Sequence, residues 1–328
     1  MESVIANYLM THLAPKISSR FNIDELLVKE EFRQFFEQSI IRRYKTLSDV
    51  KRLKLSRQDK KSNVSQKDKL RVFNERWTLG KKIGFGGFGT VYEAYDVNGD
   101  TYAMKIVDRL QNNSLKKEVS IYAALQDEFC RVPKLIDHGN EKDLTFLVIP
   151  LYEYSLSDRL KQGVMSMPEI ICVMTQVVAT LQFIHTLGYA HLDIKPGNIM
   201  YSRGNWYLID YGLSIYFIGC ETTPFAHLTR RGTLEYMATD IHYGIPSRKA
   251  DLESLAYTML KMCNYTLSWT SINFNQATDD DIQQLILAKK QMFENCHLLD
   301  IPLMCRNYLT NLSRLSTGQT PNYEMIFM

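Results

Sequence analysis

No run of apolar residues in the 328-residue chain reaches the ~18 needed to cross a bilayer, so no membrane-spanning helix is expected. The amino terminus lacks the basic stretch followed by an apolar run that marks a secretory signal. Cysteine is sparse. Cys130, Cys172, Cys220, Cys263, Cys296 and Cys305 are scattered, without the close pairs that chelate zinc or the density of a disulfide scaffold. They read as buried reduced thiols, and with the other absences they imply an intracellular chain, cytoplasmic or nuclear. A strong charge imbalance is also missing. The formal net charge of +3 leaves nucleic-acid or membrane binding to be argued from local clusters. What is present is 45% hydrophobic content, which excludes a disordered or fibrous chain and can build a large core.

The first 75 or so residues differ from the rest. Leu26, Leu27, Phe32, Phe35, Phe36 and Ile40 recur near helical spacing between Phe21 and Tyr44. From Arg42 to Arg71 twelve basic residues stand against three aspartates, which makes a basic linker or arm. It reads either as a solvated connector or as a dock for an acidic partner or nucleic acid. From Trp77 to Val107 the pattern is an antiparallel meander, with Asn98-Gly99 as a turn suited to positive φ. A helix is expected over 115–125, strands at 134–139 and 145–149, and mainly helices after Ser155, interrupted by short strands near 198–200 and 207–209. The fold class is therefore α+β, a small β-rich lobe preceding a larger helical one.

Gly84, Gly86 and Gly89 fall in the G-x-G-x-x-G spacing between two strands. Missing side chains let backbone N–H groups approach phosphates. A dinucleotide-binding turn would open a helix, whereas these glycines lead into another strand. Lys105 lies mid-strand among apolar neighbours and needs an anionic partner, because unpaired burial of an ammonium is costly. Glu118 is the natural candidate, with phosphates as the other. Further on, His191-Leu192-Asp193-Ile194-Lys195-Pro196-Gly197-Asn198 is followed by Asp210-Tyr211-Gly212.

Here the chain resembles the eukaryotic protein kinases, whose catalytic loop reads H-x-D-x-K-x-x-N and whose metal-binding turn reads D-F-G. The resemblance implies a bilobal kinase fold over residues 76–328, an N-lobe to about 150 and a C-lobe beyond it, preceded by the extension 1–75. It implies ATP and Mg²⁺ as cofactors, with Mn²⁺ an admissible substitute. Asp193 would receive the substrate hydroxyl proton, Lys195 would sit near the γ-phosphate, and Asn198 and Asp210 would ligate the metal. Ile83, Gly84, Gly86, Gly87, Phe88, Gly89 and Val91 would cover the nucleotide, with Lys105 and Glu118 at its phosphates. Ala103 and Val91 would roof the adenine, Met200 and Ile209 would form its floor, and Ile149 would be the gatekeeper beside a hinge at Pro150 and Tyr152. Lys195, two places after Asp193, resembles the serine/threonine-specific branch, so protein substrates with Ser or Thr acceptors are implied.

Beyond Asp210, the block Gly232–Gly244 and the run Ser247–Leu255 replace the usual A-P-E region. That is similar to the casein kinase group and especially to the vaccinia-related kinases, as are Tyr211, the segment 267–270 and Pro321-Asn322-Tyr323. Asp251 corresponds to a helical aspartate that holds the catalytic-loop backbone. Leu192 stands where an arginine often precedes the catalytic Asp, so no guanidinium pairs a phosphorylated loop there and constitutive activity is expected. Arg230 and Arg231 read equally as selecting an acidic substrate or as structural pairs. The chain is expected to act as a monomer, without a regulatory tail after Met328. Two rivals remain at this level, a pseudokinase-like scaffold and a small-molecule kinase. If the basic arm docks to DNA, deleting residues 1–72 should weaken DNA association at low salt while sparing activity on a free peptide. Unchanged binding would remove the idea.

Overall fold

The computed structural model describes residues 72–86, 89–108, 112–126, 131–219, 223–229, 231–274 and 276–324. The helix expected within 21–44, the arm 42–71, Gly87, Phe88 and Arg230 lie outside the described residues. One compact unit comprises 70–165, 173–202 and 206–328, and it carries every described site residue. Within 166–172, Ser166 and Glu169 bond reciprocally at a helix start.

The β-rich lobe is a six-stranded antiparallel sheet. Its strands are β1 (Val72–Phe73), β2 (Trp77–Gly86), β3 (Gly89–Tyr95), β4 (Thr101–Asp108), β5 (Asp137–Glu141) and β6 (Leu144–Pro150), in the order β1-β2-β3-β4-β6-β5. Alternation along β4 works as expected from its sequence. Met104 and Ile106 enter a core with Phe73, Trp77, Ala94, Phe146 and Val148, while Ala103 and Lys105 face the other way. Register places Val91 opposite Lys105 and Ala103 opposite Ile149, so these four share one face. At the β3–β4 turn only Gly99 takes positive φ, at 82°; Asn98 instead donates its N–H to the Asp96 side chain.

Helix α1 (Asn112–Ala124) packs on this sheet, starting three residues earlier than its periodicity indicates. Strand β5 begins at Asp137 rather than 134. The Gln126 amide explains the delay, since it accepts from Leu135 N–H and donates to the Pro133 carbonyl, satisfying groups that would otherwise seek a strand.

The helical lobe contains α2 (Leu156–Leu160), α3 (Met167–Thr186), α4 (Thr239–His242), α5 (Arg248–Met262), α6 (Asp279–Glu294) and α7 (Leu303–Ser313). Short strands β7 (Tyr154–Ser155), β8 (Tyr189–Ala190), β9 (Ile199–Ser202), β10 (Asn205–Leu208) and β11 (Ile215–Tyr216) lie between them. Ser155 and Asp158 cap α2 reciprocally, as do Thr278 and Asp281 for α6. Among the described residues α3 is the one helix long and apolar enough to cross a membrane. Val173, Met174, Val177, Leu181 and Ile184 on it are buried, the pattern of a core helix.

Candidate active site

Three chain segments meet at Lys105. Its ammonium lies 2.8 Å from Glu118 Oε2 on α1 and 2.7 Å from Asp210 Oδ1 in the loop after β10. Glu118 was the expected partner; Asp210, 105 residues away, also takes part. Burial alone would depress the Lys105 pKa, but the two carboxylates outweigh it and hold the group above its ordinary value. Burial would likewise raise Asp210, yet the Lys105 ammonium holds that carboxyl below the usual range. Glu118 goes the other way. Its complete burial pushes it up to about 7 against the pull of Lys105.

Asp210 adopts a left-handed backbone at φ 66°, a conformation costing a non-glycine residue ~1–2 kcal/mol. The hydroxyl of Tyr122 compensates by accepting the Asp210 N–H at 3.1 Å. Tyr122 has no place in the expected site, although it follows Glu118 by four residues on α1 and so shares its face. Its ring meets Tyr211 edge-on at 5.1 Å, and Tyr211 meets His191 at 4.8 Å. Gly212 completes the turn: a Cβ there would lie 3.4 Å from both Asp210 Oδ1 and Glu118 Oε2.

The loop 191–198 is assembled from its backbone outward. The buried carboxylate of Asp251 accepts from His191 N–H at 2.7 Å and Leu192 N–H at 2.8 Å, while His185 Nε2 lies 2.8 Å from it. This clamp holds Leu192 at φ 68°, a second strained non-glycine residue. The partners of His191 set its tautomer: Nδ1 accepts from Asp193 N–H, so Nε2 carries the hydrogen donated to the Ile209 carbonyl. Burial lowers its pKa and keeps the ring neutral.

Asp193 is ringed by donors. Lys195 Nζ and Asn198 Nδ2 reach its Oδ2 at 2.7 and 3.0 Å; Thr233 reaches Oδ1 through its N–H at 3.2 Å and its hydroxyl at 3.0 Å. Lys195 also donates to Thr233 Oγ1 at 2.7 Å. Thr233 is a further contact that the residue types alone did not single out; its only signal is the Gly-Thr pair closing the segment after Asp210. Asn198 sits in a single 3₁₀ turn rather than in a strand, and Ile209 N–H donates to its carbonyl, which brings the loop next to Asp210.

Other expected residues distribute as follows. Gly84 pairs with Val91 in β2–β3, and Ile83 beside it is exposed. An added Cβ at Gly84 would meet only Val91 at an ordinary 3.5 Å, whereas Gly89 has φ 125° and no room beside the Ile106 carbonyl. Gly89 is thus demanded by the fold, whereas among the described residues nothing beside Gly84 excludes a side chain. Pro150 pairs with Tyr102, and the Tyr152 ring packs 4.8 Å from Tyr207. Met200 pairs with Ser155 in β7–β9, and Met200 and Ile209 are half-buried.

The donor set suits a nucleotide with a hard cation. Asp210 and Asn198 supply oxygens, the ligand atoms such ions prefer, and Asn198 gives its amide hydrogens to Asp193, leaving its own oxygen for a metal. A profile of the protein kinase domain matches residues 77–315. The chain belongs to the protein kinase family. It is 31% identical to a probable casein kinase I homolog of Encephalitozoon cuniculi over 263 residues, which are 76% of this chain and 82% of that protein. It is 30% identical to the B1 kinase of Monkeypox virus, over 76% of this chain and 90% of that one. A probable serine/threonine-protein kinase of Fowlpox virus shares 29%, over 78% and 95% respectively. These likenesses bear out the resemblance to the casein kinase group. As a protein kinase the chain uses ATP and a divalent metal and acts on protein substrates.

The Glu118 carboxyl, raised above its unfolded value, makes its stability contribution fully at low pH and loses it as pH rises through about 7. Its ionised pair with Lys105 is present above that point. Between about pH 5 and about pH 8 wild-type stability should fall relative to Glu118→Gln, while kcat/KM for ATP should rise, and the variant should show neither trend. A flat wild-type profile in both measurements would contradict the assignment.

Proposed function

We propose that this kinase transfers the γ-phosphate of ATP to Ser or Thr hydroxyls of protein substrates, with Asp193 as the group that receives the hydroxyl proton. The observation that carries this reading is the convergence of Lys105, Glu118, Asp210, Asp193, Lys195 and Asn198, drawn from both lobes. The acceptor oxygen attacks the γ-phosphorus, the bond from that phosphorus to the β-bridging oxygen breaks, the hydroxyl proton passes to Asp193, and ADP leaves. Lys195 steadies charge on the transferring group, and Lys105, fixed by Glu118, orients the other phosphates. Mg²⁺ held by Asp210 and Asn198 would neutralise charge on the β- and γ-phosphates. Gly84, Gly86 and Gly89 are assigned to the phosphates, and the same assignment for Gly87 and Phe88 falls outside the described residues. Val91 and Ala103 roof the adenine, Met200 and Ile209 underlie it, and Ile149, Pro150 and Tyr152 border its edge. The kinase domain spans 76–328, and the extension 1–75 lies outside it.

Packing supports the expectation of constitutive activity. Leu192, in place of an arginine, is buried with Leu213, Leu228, Met237 and Ile241, and Phe225 and Leu234 pack against the same cluster. Apolar burial thus holds the activation segment where other members use a phosphate–guanidinium pair. The basic arm 42–71 is assigned to acidic partners or DNA, the protein acts as a monomer, and its compartment is cytoplasmic or nuclear.

Incorporation of labelled phosphate into casein or a histone tests the reading. Unphosphorylated wild-type protein should be active, and Asp193→Asn should retain less than about one part in a hundred of that activity, the usual weight of a proton-accepting group. No incorporation by wild type would favour a scaffold without transferase activity; transfer confined to metabolites would favour a small-molecule kinase.

A further inference from the structure

Lys289 on α6 has no solvent exposure, and none of the ion pairs among the described residues involves it. Its Nζ donates to the main-chain carbonyls of Leu234, at 2.8 Å, and Met237, at 2.6 Å. The ammonium also lies 5.0 Å from the centre of the Tyr257 ring and 5.5 Å from that of Trp269. A buried cation solvated by two carbonyls and two aromatic faces is costly unless the geometry serves a purpose. Replacing it with an apolar side chain would be the cheaper way to fill a core.

The two carbonyls belong to the segment leaving Asp193. Thr233 is bonded to Asp193 and Lys195, and both Tyr236 and Met237 donate their N–H to the Thr233 carbonyl. Between the Lys289 bonds, the Glu235 carbonyl accepts from Trp269 Nε1 at 3.0 Å, and the Glu235 side chain pairs with Lys261 at 3.0 Å. Downstream, Glu253 accepts from Thr239 N–H and from Tyr257. The inner side of residues 234–239 is therefore clamped by α5, α6 and Trp269, while Leu234, Glu235 and Tyr236 keep an outer, half-exposed side. Any protein that brings a hydroxyl to Asp193 must lie against the main chain flanking that carboxylate.

We propose that Lys289 is a positioning residue for the protein substrate: through the Leu234 and Met237 carbonyls it sets the shape of the strip beside Asp193 that receives the acceptor peptide. Nucleotide handling does not pass through it, since Thr233 keeps its own bonds to Asp193 and Lys195. Charged and titratable groups around Lys289 are Glu253 and Tyr257 on α5, Glu235 in the strip and His242 on α4. Burial pushes Lys289 down to about 7 against the pull of Glu253 and Glu235. Burial, with the Lys289 charge adding to it, pushes His242 down to about 3, so that ring stays neutral.

The inference rests on the kinase reading, and two substrates separate them. In Lys289→Met the KM for a histidine-free serine peptide should rise about tenfold or more, the loss expected for charge-assisted bonds to two carbonyls. The KM for ATP and the rate of ATP hydrolysis to water should stay within about twofold of wild type. In the wild type, peptide KM should rise as pH increases through about 7 and the Lys289 grip weakens. That profile decides the matter if the variant melts below assay temperature. A wild type that phosphorylates no peptide breaks the kinase reading. An active wild type with a pH-independent peptide KM, or a folded variant with unchanged peptide KM or equal losses for both substrates, overturns this inference alone.

Discussion

One ammonium shared by two carboxylates organises the molecule. Lys105 comes from a strand, Glu118 from a helix, and Asp210 from a loop 105 residues along the chain from the lysine. None of the three would be stable at its depth without the others, because a half-buried charge must be compensated within a few ångströms. The β-rich lobe, α1 and the segment after β10 are thus bound electrostatically into one arrangement. The partners titrate unequally: Lys105 holds Asp210 ionised while burial lifts Glu118 towards neutrality.

Around that centre strain is stored and offset locally. Leu192 and Asp210 adopt left-handed backbone, and the compensation comes from the buried side chains of Asp251 and Tyr122. Asp251 holds two N–H groups of the loop, and the Tyr122 hydroxyl holds that of Asp210. The activation segment is fixed by a different force. Its Leu213, Leu228 and Met237 share an apolar cluster with Leu192.

Much of this was legible in the residues. Alternation along 101–108 placed Lys105 on the face opposite the core, and the need for an anion pointed to Glu118. The loop 191–198 and the turn 210–212 were singled out by residue type and spacing, and the structure brings them side by side. Tertiary satisfaction was harder to read. Gln126 delays β5 by bonding loop backbone, a choice no local pattern encodes. Thr233, Tyr122 and Lys289 act through contacts spanning 40, 88 and 55 residues, and each looks ordinary in its own segment. The four-residue step from Glu118 to Tyr122 and the Gly232-Thr233 pair were the local clues among them.

The central claim is that residues from both lobes close on one triphosphate. A crystal structure of the whole chain with a non-hydrolysable ATP analogue and Mg²⁺ tests it most directly. The account predicts phosphates within bonding distance of Lys105 and a metal ion ligated by both Asp210 and Asn198. An analogue bound elsewhere, or a metal that ignores Asp210, would contradict it.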